Sequence, residues 1–288
     1  MGSPINRRKL IERLKTSPAY RVAYKDPDFL AARDTRASRL QLELMKAELL
    51  MQAHQIRSTV VVFGGTRIAE PKDARRVVRE LELKLKRKPS DKELRRRMAV
   101  ARAVLAKSKY YDEAREFARL VSTECQSNKP HDYVIVTGGG PGIMEAANRG
   151  AYEVGAKSIG LNITLPMEQE PNAFIDPELC LQFHYFAIRK MHFLMRAKAL
   201  LAFPGGYGTL DELFEALTLV QTRKVDRLPI VLFGETYWRN VINFDYLVQE
   251  GTIDPDDIKL FVYADKAVDA WKYIKYFWQA EGNGKNGK

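Results

Sequence analysis

Three stretches of this 288-residue chain run from an apolar segment straight into a glycine turn, and each could cradle an anion on backbone amides. VVVF leads into Gly64-Gly65-Thr66-Arg67, VIVT into Gly138-Gly139-Gly140-Pro141-Gly142, and LLAF into Pro204-Gly205-Gly206-Tyr207-Gly208-Thr209. Glycine lets the chain turn sharply and lets a ligand reach the N–H groups, while a helix starting just beyond adds its positive end. Helices are expected from Ile143 and from Leu210, so the chemistry that fits is phosphate binding. GGGPGIM does not read G-x-G-x-x-G, and about twenty residues past Gly140 the chain reads IGLNI with no acid for a ribose hydroxyl, which disfavours a dinucleotide. No GxxxxGK[ST] occurs either. A nucleotide with a single phosphate is the expected ligand.

Charged groups cluster around the third turn. Arg189 and Lys190 sit in FHYFAIRKMHFLMRAKALLAF, among apolar residues where a cation needs an anion, either a framework carboxylate or a ligand. Asp211, Glu212 and Glu215 follow in the helix after the turn, with Leu210, Leu213, Phe214 and Leu217 as its buried stripe. Glu212 is the acid best placed to reach a ligand. Glu168, in the Leu165-Pro166-Met167-Glu168-Gln169 loop, would hang over the same edge or stand in solvent. His184 and His192 flank Arg189 and read as packing groups, and the four histidines (His54, His131, His184, His192) have no HExxH spacing, so no metal is expected.

The elements that must position these groups are legible from hydrophobic runs. STVVVF (58–63), DYVIVT (132–137), KSIGLNI (157–163), ALLAF (199–203) and PIVLF (229–233) read as buried strands separated by helices, which predicts a Rossmann-like, doubly wound parallel α/β sheet. In such a sheet the carboxyl ends of the strands share one edge, so the three turns converge on one crevice. Residues 1–57 read as an N-terminal helical extension, because Leu42, Met45 and Leu49 recur at helical spacing. Residues 58–280 form the nucleotide-binding domain, with a long helical insertion at about 71–127 after the first strand. Pro89-Ser90-Asp91 with Glu93 marks a fresh helix start inside it. ADKAVDAWKYIKYFWQAE is a closing helix with packing aromatics, and 281–288 is a flexible tail.

Lys and Arg number 47 against 36 Asp and Glu, a formal charge of +11. Seventeen basic and nine acidic residues fall between Glu70 and Arg119, so most of the excess belongs to the insertion. A solvated or subunit-facing helical surface is the expected reading, and nucleic-acid binding the alternative. Cys125 and Cys180 have no CxxC pattern and read as buried thiols of a reduced compartment. The N-terminus lacks a signal-peptide core and no run approaches the roughly 20 apolar residues of a membrane span. A cytoplasmic location is expected.

The PGGxGTxxE pattern at Pro204–Glu212, Arg189-Lys190 before it, Gly138–Gly142 with Ile143-Met144-Glu145, and Leu165-Pro166-x-Glu168 together resemble the Lonely Guy (LOG) family of cytokinin riboside 5′-monophosphate phosphoribohydrolases over about Thr59–Gly251. The extension and insertion look like those of the family's larger bacterial branch. The resemblance implies hydrolysis of the N-glycosidic bond of a purine nucleoside 5′-monophosphate, AMP or an N6-modified AMP, without a cofactor. By the family's pattern Arg189 and Glu212 carry catalysis. Gly64, Gly65, Gly138, Gly139, Gly140, Gly142, Glu168, Lys190, Gly205, Gly206, Tyr207, Gly208, Thr209 and Thr218 would hold the substrate. A homodimer or larger homo-oligomer is implied as well. The alternative is a non-catalytic carrier of a phosphorylated ligand such as molybdenum cofactor. The lysine decarboxylase label some members carry finds no support, since no lysine sits in a recognisable pyridoxal phosphate context.

Overall fold

The computed structural model describes residues 6–126, 131–166 and 170–285, the last five as backbone only. The chain divides into two compact units, Met1–Lys46 and Ala47–Lys288. In the first, α1 (Arg7–Lys15) starts at Asn6, whose side chain accepts the Lys9 amide, and α2 (Pro27–Ala31) starts at Asp26, which caps the amides of Asp28 and Phe29. Arg39, in the first turns of α3 (Arg36–Ala53), donates to the carbonyls of Leu30 and Ala32. Leu42, Met45 and Leu49 are exposed, while Ala47 and Met51 are the residues α3 buries. The spacing that announced this helix therefore does not mark its packed face.

The second unit is a seven-stranded, wholly parallel sheet: β1 (Thr59–Phe63), β2 (Val134–Thr137), β3 (Ser158–Ile163), β4 (Cys180–Phe183), β5 (Ala197–Ala202), β6 (Ile230–Phe233) and β7 (Phe261–Ala264). Their order is β4-β3-β2-β1-β5-β6-β7. Five match the apolar runs. The other two, β4 and β7, are edge strands and only partly buried, so they lack the continuous apolar run that marks a central parallel strand. The order reverses between β1 and β5, the place where such a sheet opens a crevice beyond its carboxyl ends.

Alternate strand residues serve two cores. Val61, Phe63, Val136, Leu200 and Ala202 pack with Met51 of α3, Phe193 of α8 (Phe186–Met195), Leu213 and Leu217 of α9 (Tyr207–Gln221), Trp238 of α10 (Glu235–Val241) and Phe244 of α11 (Phe244–Gln249). Val60, Val62, Ile135 and Leu201 pack on the opposite face. Their partners are Phe117 of α6 (Lys109–Cys125), Ile143 and Ala147 of α7 (Ile143–Tyr152), and Trp271 and Ile274 of α12 (Ala267–Lys285). Helix α12 runs on through Lys285, into the stretch expected as a tail.

The insertion is two things. Helices α4 (Pro71–Arg87) and α5 (Lys92–Lys107) form a hairpin with its own small core of Val78, Leu81, Met98 and Ala101, and Asp91 caps the second helix through the Leu94 amide. Helix α6, by contrast, is a layer of the main fold, burying Tyr111, Ala114, Phe117 and Val121. It carries an apolar face that the sheet requires, whereas the hairpin satisfies itself.

Candidate functional site

A cleft of about 430 Å³ lies beyond the carboxyl ends of β1, β2 and β3 and is walled by α8 and α9. That volume is in the range of roughly 300–1,000 Å³ usual for small-ligand sites. Gly64 and Gly65 line it from β1, Gly138 from β2, and Gly206, Gly208, Thr209 and Glu212 from the region after β5. The turns after β1 and β5 are tied together by Gly65 N donating to Pro204 O at 2.9 Å.

Helix α9 starts at Tyr207, three residues before the expected Leu210, so Gly208 and Thr209 belong to its first turn. The first amides of a helix have no intrahelical acceptor, and Gly206 at the cap offers no side chain to receive them. A methyl group on Gly206 or Gly208 would meet no protein atom within 4 Å. Packing does not demand these two glycines; an incoming ligand would. Gly138 is the opposite case, since a Cβ there would lie 2.6 Å from the Arg189 guanidinium.

Arg189 is buried, its side chain 10% exposed against 15% for Glu212. Its Nε donates to Leu161 O at 2.7 Å, its guanidinium stacks over Phe193 at 5.2 Å, and its two terminal nitrogens lie 3.5 Å from Glu212 Oε1 and from Gly138 O. The cation thus joins β3, the β2 turn and α9. Burial raises the Glu212 carboxyl from the usual 4.5 to about 7, with Asp211 and Glu215 adding to the rise and Arg189 and Lys190 opposing it. The same burial pulls Arg189 below the usual arginine range, against the pull of Glu212. The pair gives the cleft a fixed cation beside a carboxyl that exchanges its proton near neutrality.

Other expected site residues are placed elsewhere. Lys190 points away from the cleft and pairs with Asp211 at 2.8 Å and Glu215 at 3.1 Å, on an outer depression that Thr218 also lines. The reason is helical geometry: Lys190 is turned about 100° from Arg189, and only one of them can face inward. Glu215 stays with Lys190 on that depression and does not line the cleft, and Phe214, expected in the buried stripe, is exposed. Thr218 donates its hydroxyl to Phe214 O. Tyr207 projects into solvent, Gly205 packs against Thr209 with its carbonyl accepting the Tyr237 hydroxyl, and Gly139, Gly140 and Gly142 lie behind the lining surface. Glu168 lies outside the described residues.

Sequence reasoning missed Thr66, Met144, Asn162, Ile163, Pro171, Gln182 and Phe186, all of which line the cleft. Asn162 had a signal, a polar residue inside an apolar strand; Gln182 had none, because β4 was not recognised. Cys180, expected buried, is half-buried and also lines the cleft. Among the described residues no group of three His, Cys, Asp or Glu side chains could hold a metal, and no helix is long and apolar enough to cross a membrane. No lysine is among the described residues lining the cleft, so it offers no amine for a pyridoxal Schiff base.

A family model described as possible lysine decarboxylase matches residues 144–274. A rice (Oryza sativa subsp. japonica) protein named probable cytokinin riboside 5′-monophosphate phosphoribohydrolase LOG4 is 30% identical over 138 residues, covering 46% of this chain and 58% of that protein. Arabidopsis thaliana cytokinin riboside 5′-monophosphate phosphoribohydrolase LOG3 is 27% identical over 147 residues, 50% of this chain and 67% of that one. The chain therefore spans little more than half the length of the rice relative. Among solved structures, the molybdenum cofactor carrier protein from Chlamydomonas reinhardtii aligns over 77% of this chain and 99% of its own at 16% identity, with a TM-score of 0.45. The stretch matched by the family model carries Arg189, Glu212 and the glycine turn between them, and over about half of its length the chain is similar to the rice and Arabidopsis LOG proteins.

Proposed function

We propose that this chain hydrolyses the N-glycosidic bond of a purine nucleoside 5′-monophosphate, AMP or an N6-modified AMP, to free base and ribose 5-phosphate. The observation that carries the reading is Glu212: a carboxyl raised to about 7, beside a fixed cation, one turn from an uncapped helix N-terminus on the same cleft.

The chemistry follows from these positions. The phosphate sits on the first amides of α9, where the helix end favours negative charge. Cleavage passes through an oxocarbenium-like sugar, and the Glu212 carboxylate stabilises that charge while it orients water at C1′. The C1′–N bond breaks as the water oxygen bonds to C1′, and the water proton passes through Glu212 to the departing base. The Arg189 guanidinium offsets the negative charge gathering on the base. Apolar walls at Met144, Ile163, Leu165 and Phe186 suit a flat base and accept an apolar N6 substituent.

Incubating the protein with AMP and with isopentenyl-AMP and separating the products tests this: free base and ribose 5-phosphate are expected from at least one. Release of no base from any 5′-monophosphate overturns the enzymatic reading and leaves carriage of a phosphorylated ligand, recognised by a bound pterin without turnover. We further propose a homo-oligomer working in the cytoplasm. Lys190, Thr218 and the exposed Tyr207 are then candidates to meet a second copy, checked by sedimentation of wild type and of a Tyr207→Ala variant.

A further inference from the structure

Behind the second glycine turn lies a set of buried amide side chains that substrate contact does not require. Asn148, on α7, is fully buried and Asn172, on the connection from β3 to β4, nearly so. Asn172 Nδ2 lies 3.1 Å from Gly139 O, 3.1 Å from Gly140 O and 3.0 Å from Asn148 Oδ1, while its backbone N–H donates to Gly139 O at 2.8 Å. The three side-chain neighbours are all acceptors, so the amide nitrogen must face them, and an aspartate could not replace it. Asn148 Oδ1 also accepts the Thr137 hydroxyl at 2.7 Å, its Nδ2 donates to Ser158 Oγ at 3.0 Å, and Thr137 Oγ1 accepts the Gly139 amide at 3.0 Å. The Gly139 N–H is thereby held by β2 and its carbonyl by the β3–β4 connection, with Asn148 of α7 bridging Thr137 and Asn172.

Two of the tied segments carry lining residues. Gly138 lines the cleft next to Arg189, and Pro171, the residue before Asn172, lines it from the other wall together with Leu165. Gly139 has φ +77°, a left-handed conformation that glycine adopts without strain, and Asn162 fills the space where a Cβ would lie. Phe174, two residues on, is anchored against Tyr152 and over Arg149, so the far side of Asn172 is fixed as well.

From this geometry we infer that Asn172, held by Asn148, is a positioning residue: it staples the wall at Pro171 to the Gly138–Gly140 turn and so sets where Gly138 O meets Arg189. The inference rests on the phosphoribohydrolase reading for its kinetic consequence, though not for the staple itself. The phosphate seat on α9 is a separate element that the network does not touch. Loss of the staple therefore acts on the reacting end of the substrate and spares the phosphate end. A misplacement on the order of 1 Å near the chemistry costs on the order of 100-fold in rate.

The test is Asn172→Asp and the gentler Asn172→Ser, which keeps one donor, compared with wild type in three measurements. For AMP cleavage, kcat falls about 100-fold in Asn172→Asp and about tenfold or less in Asn172→Ser. Ribose 5-phosphate affinity, measured by calorimetry, stays within about twofold. Amide hydrogen exchange of the peptide spanning Gly138–Met144 quickens in the same order while peptides from β5 and α9 keep their protection. Unchanged kcat in Asn172→Asp, or a loss of ribose 5-phosphate affinity and of protection throughout the sheet, overturns the positioning role. Should wild type release no base, the phosphoribohydrolase reading fails while hydrogen exchange still judges the staple: local quickening upholds it and unchanged exchange removes it.

Discussion

Replacing Glu212 by glutamine removes a titratable group while keeping its size and its ability to accept from Arg189. In the folded protein the carboxyl binds its proton up to about pH 7, against 4.5 for an unburied group. Each pK unit corresponds to about 1.4 kcal/mol, so the difference amounts to about 3 kcal/mol. The sign follows from a raised carboxyl: the native state holds the proton more tightly than the unfolded chain. The contribution is fully present below pH 4.5 and is lost as pH rises through about 7. Glutamine has nothing to lose. Urea denaturation of both proteins at closely spaced pH values between 4 and 8.5 therefore yields a difference curve, variant minus wild type, that climbs by about 3 kcal/mol, because all other groups cancel. Its starting level is small, because at pH 4 Arg189 faces a neutral side chain in both proteins. Activity reports the same group, with a wild-type rate rising through about pH 7 and a variant lacking that limb and slower by about 100- to 10,000-fold. A flat difference curve refutes the claim that burial, rather than the Arg189 contact, governs Glu212.

Arg189→Lys keeps the charge but cannot serve Leu161 O, Glu212 and Gly138 O at once; kcat/KM falls by about 100-fold and stability by about 2 kcal/mol, read by product assay and urea denaturation. Gly208→Ala places a methyl where no protein atom lies, so the helix gains about 0.5 kcal/mol while the ligand loses room: Tm rises slightly and KM for AMP increases several-fold. Asp91→Ala removes the cap of α5 and costs about 1 kcal/mol within the hairpin, seen as faster exchange in α5, with turnover unchanged because no hairpin residue lines the cleft.

The parts of this protein readable from sequence are those whose cause is local. Val60–Val62, Ile135 and Leu200–Leu201 announce central strands because both faces of a parallel sheet must be apolar, and the three glycine turns announce themselves because each glycine run follows directly on such an apolar run. The edge strands β4 and β7 stayed hidden, since CLQF and FVYA are half-exposed and lack that run. Tertiary packing alone decided that Arg189 faces inward and its neighbour Lys190 outward, because a helix shows its buried side only once something is packed on it. It also decided the proton affinity of Glu212, which depends on how much water its surroundings exclude. Thr137, Asn148, Ser158 and Asn172 come from four separate segments, and nothing in their spacing says that folding brings them to one point behind a glycine turn.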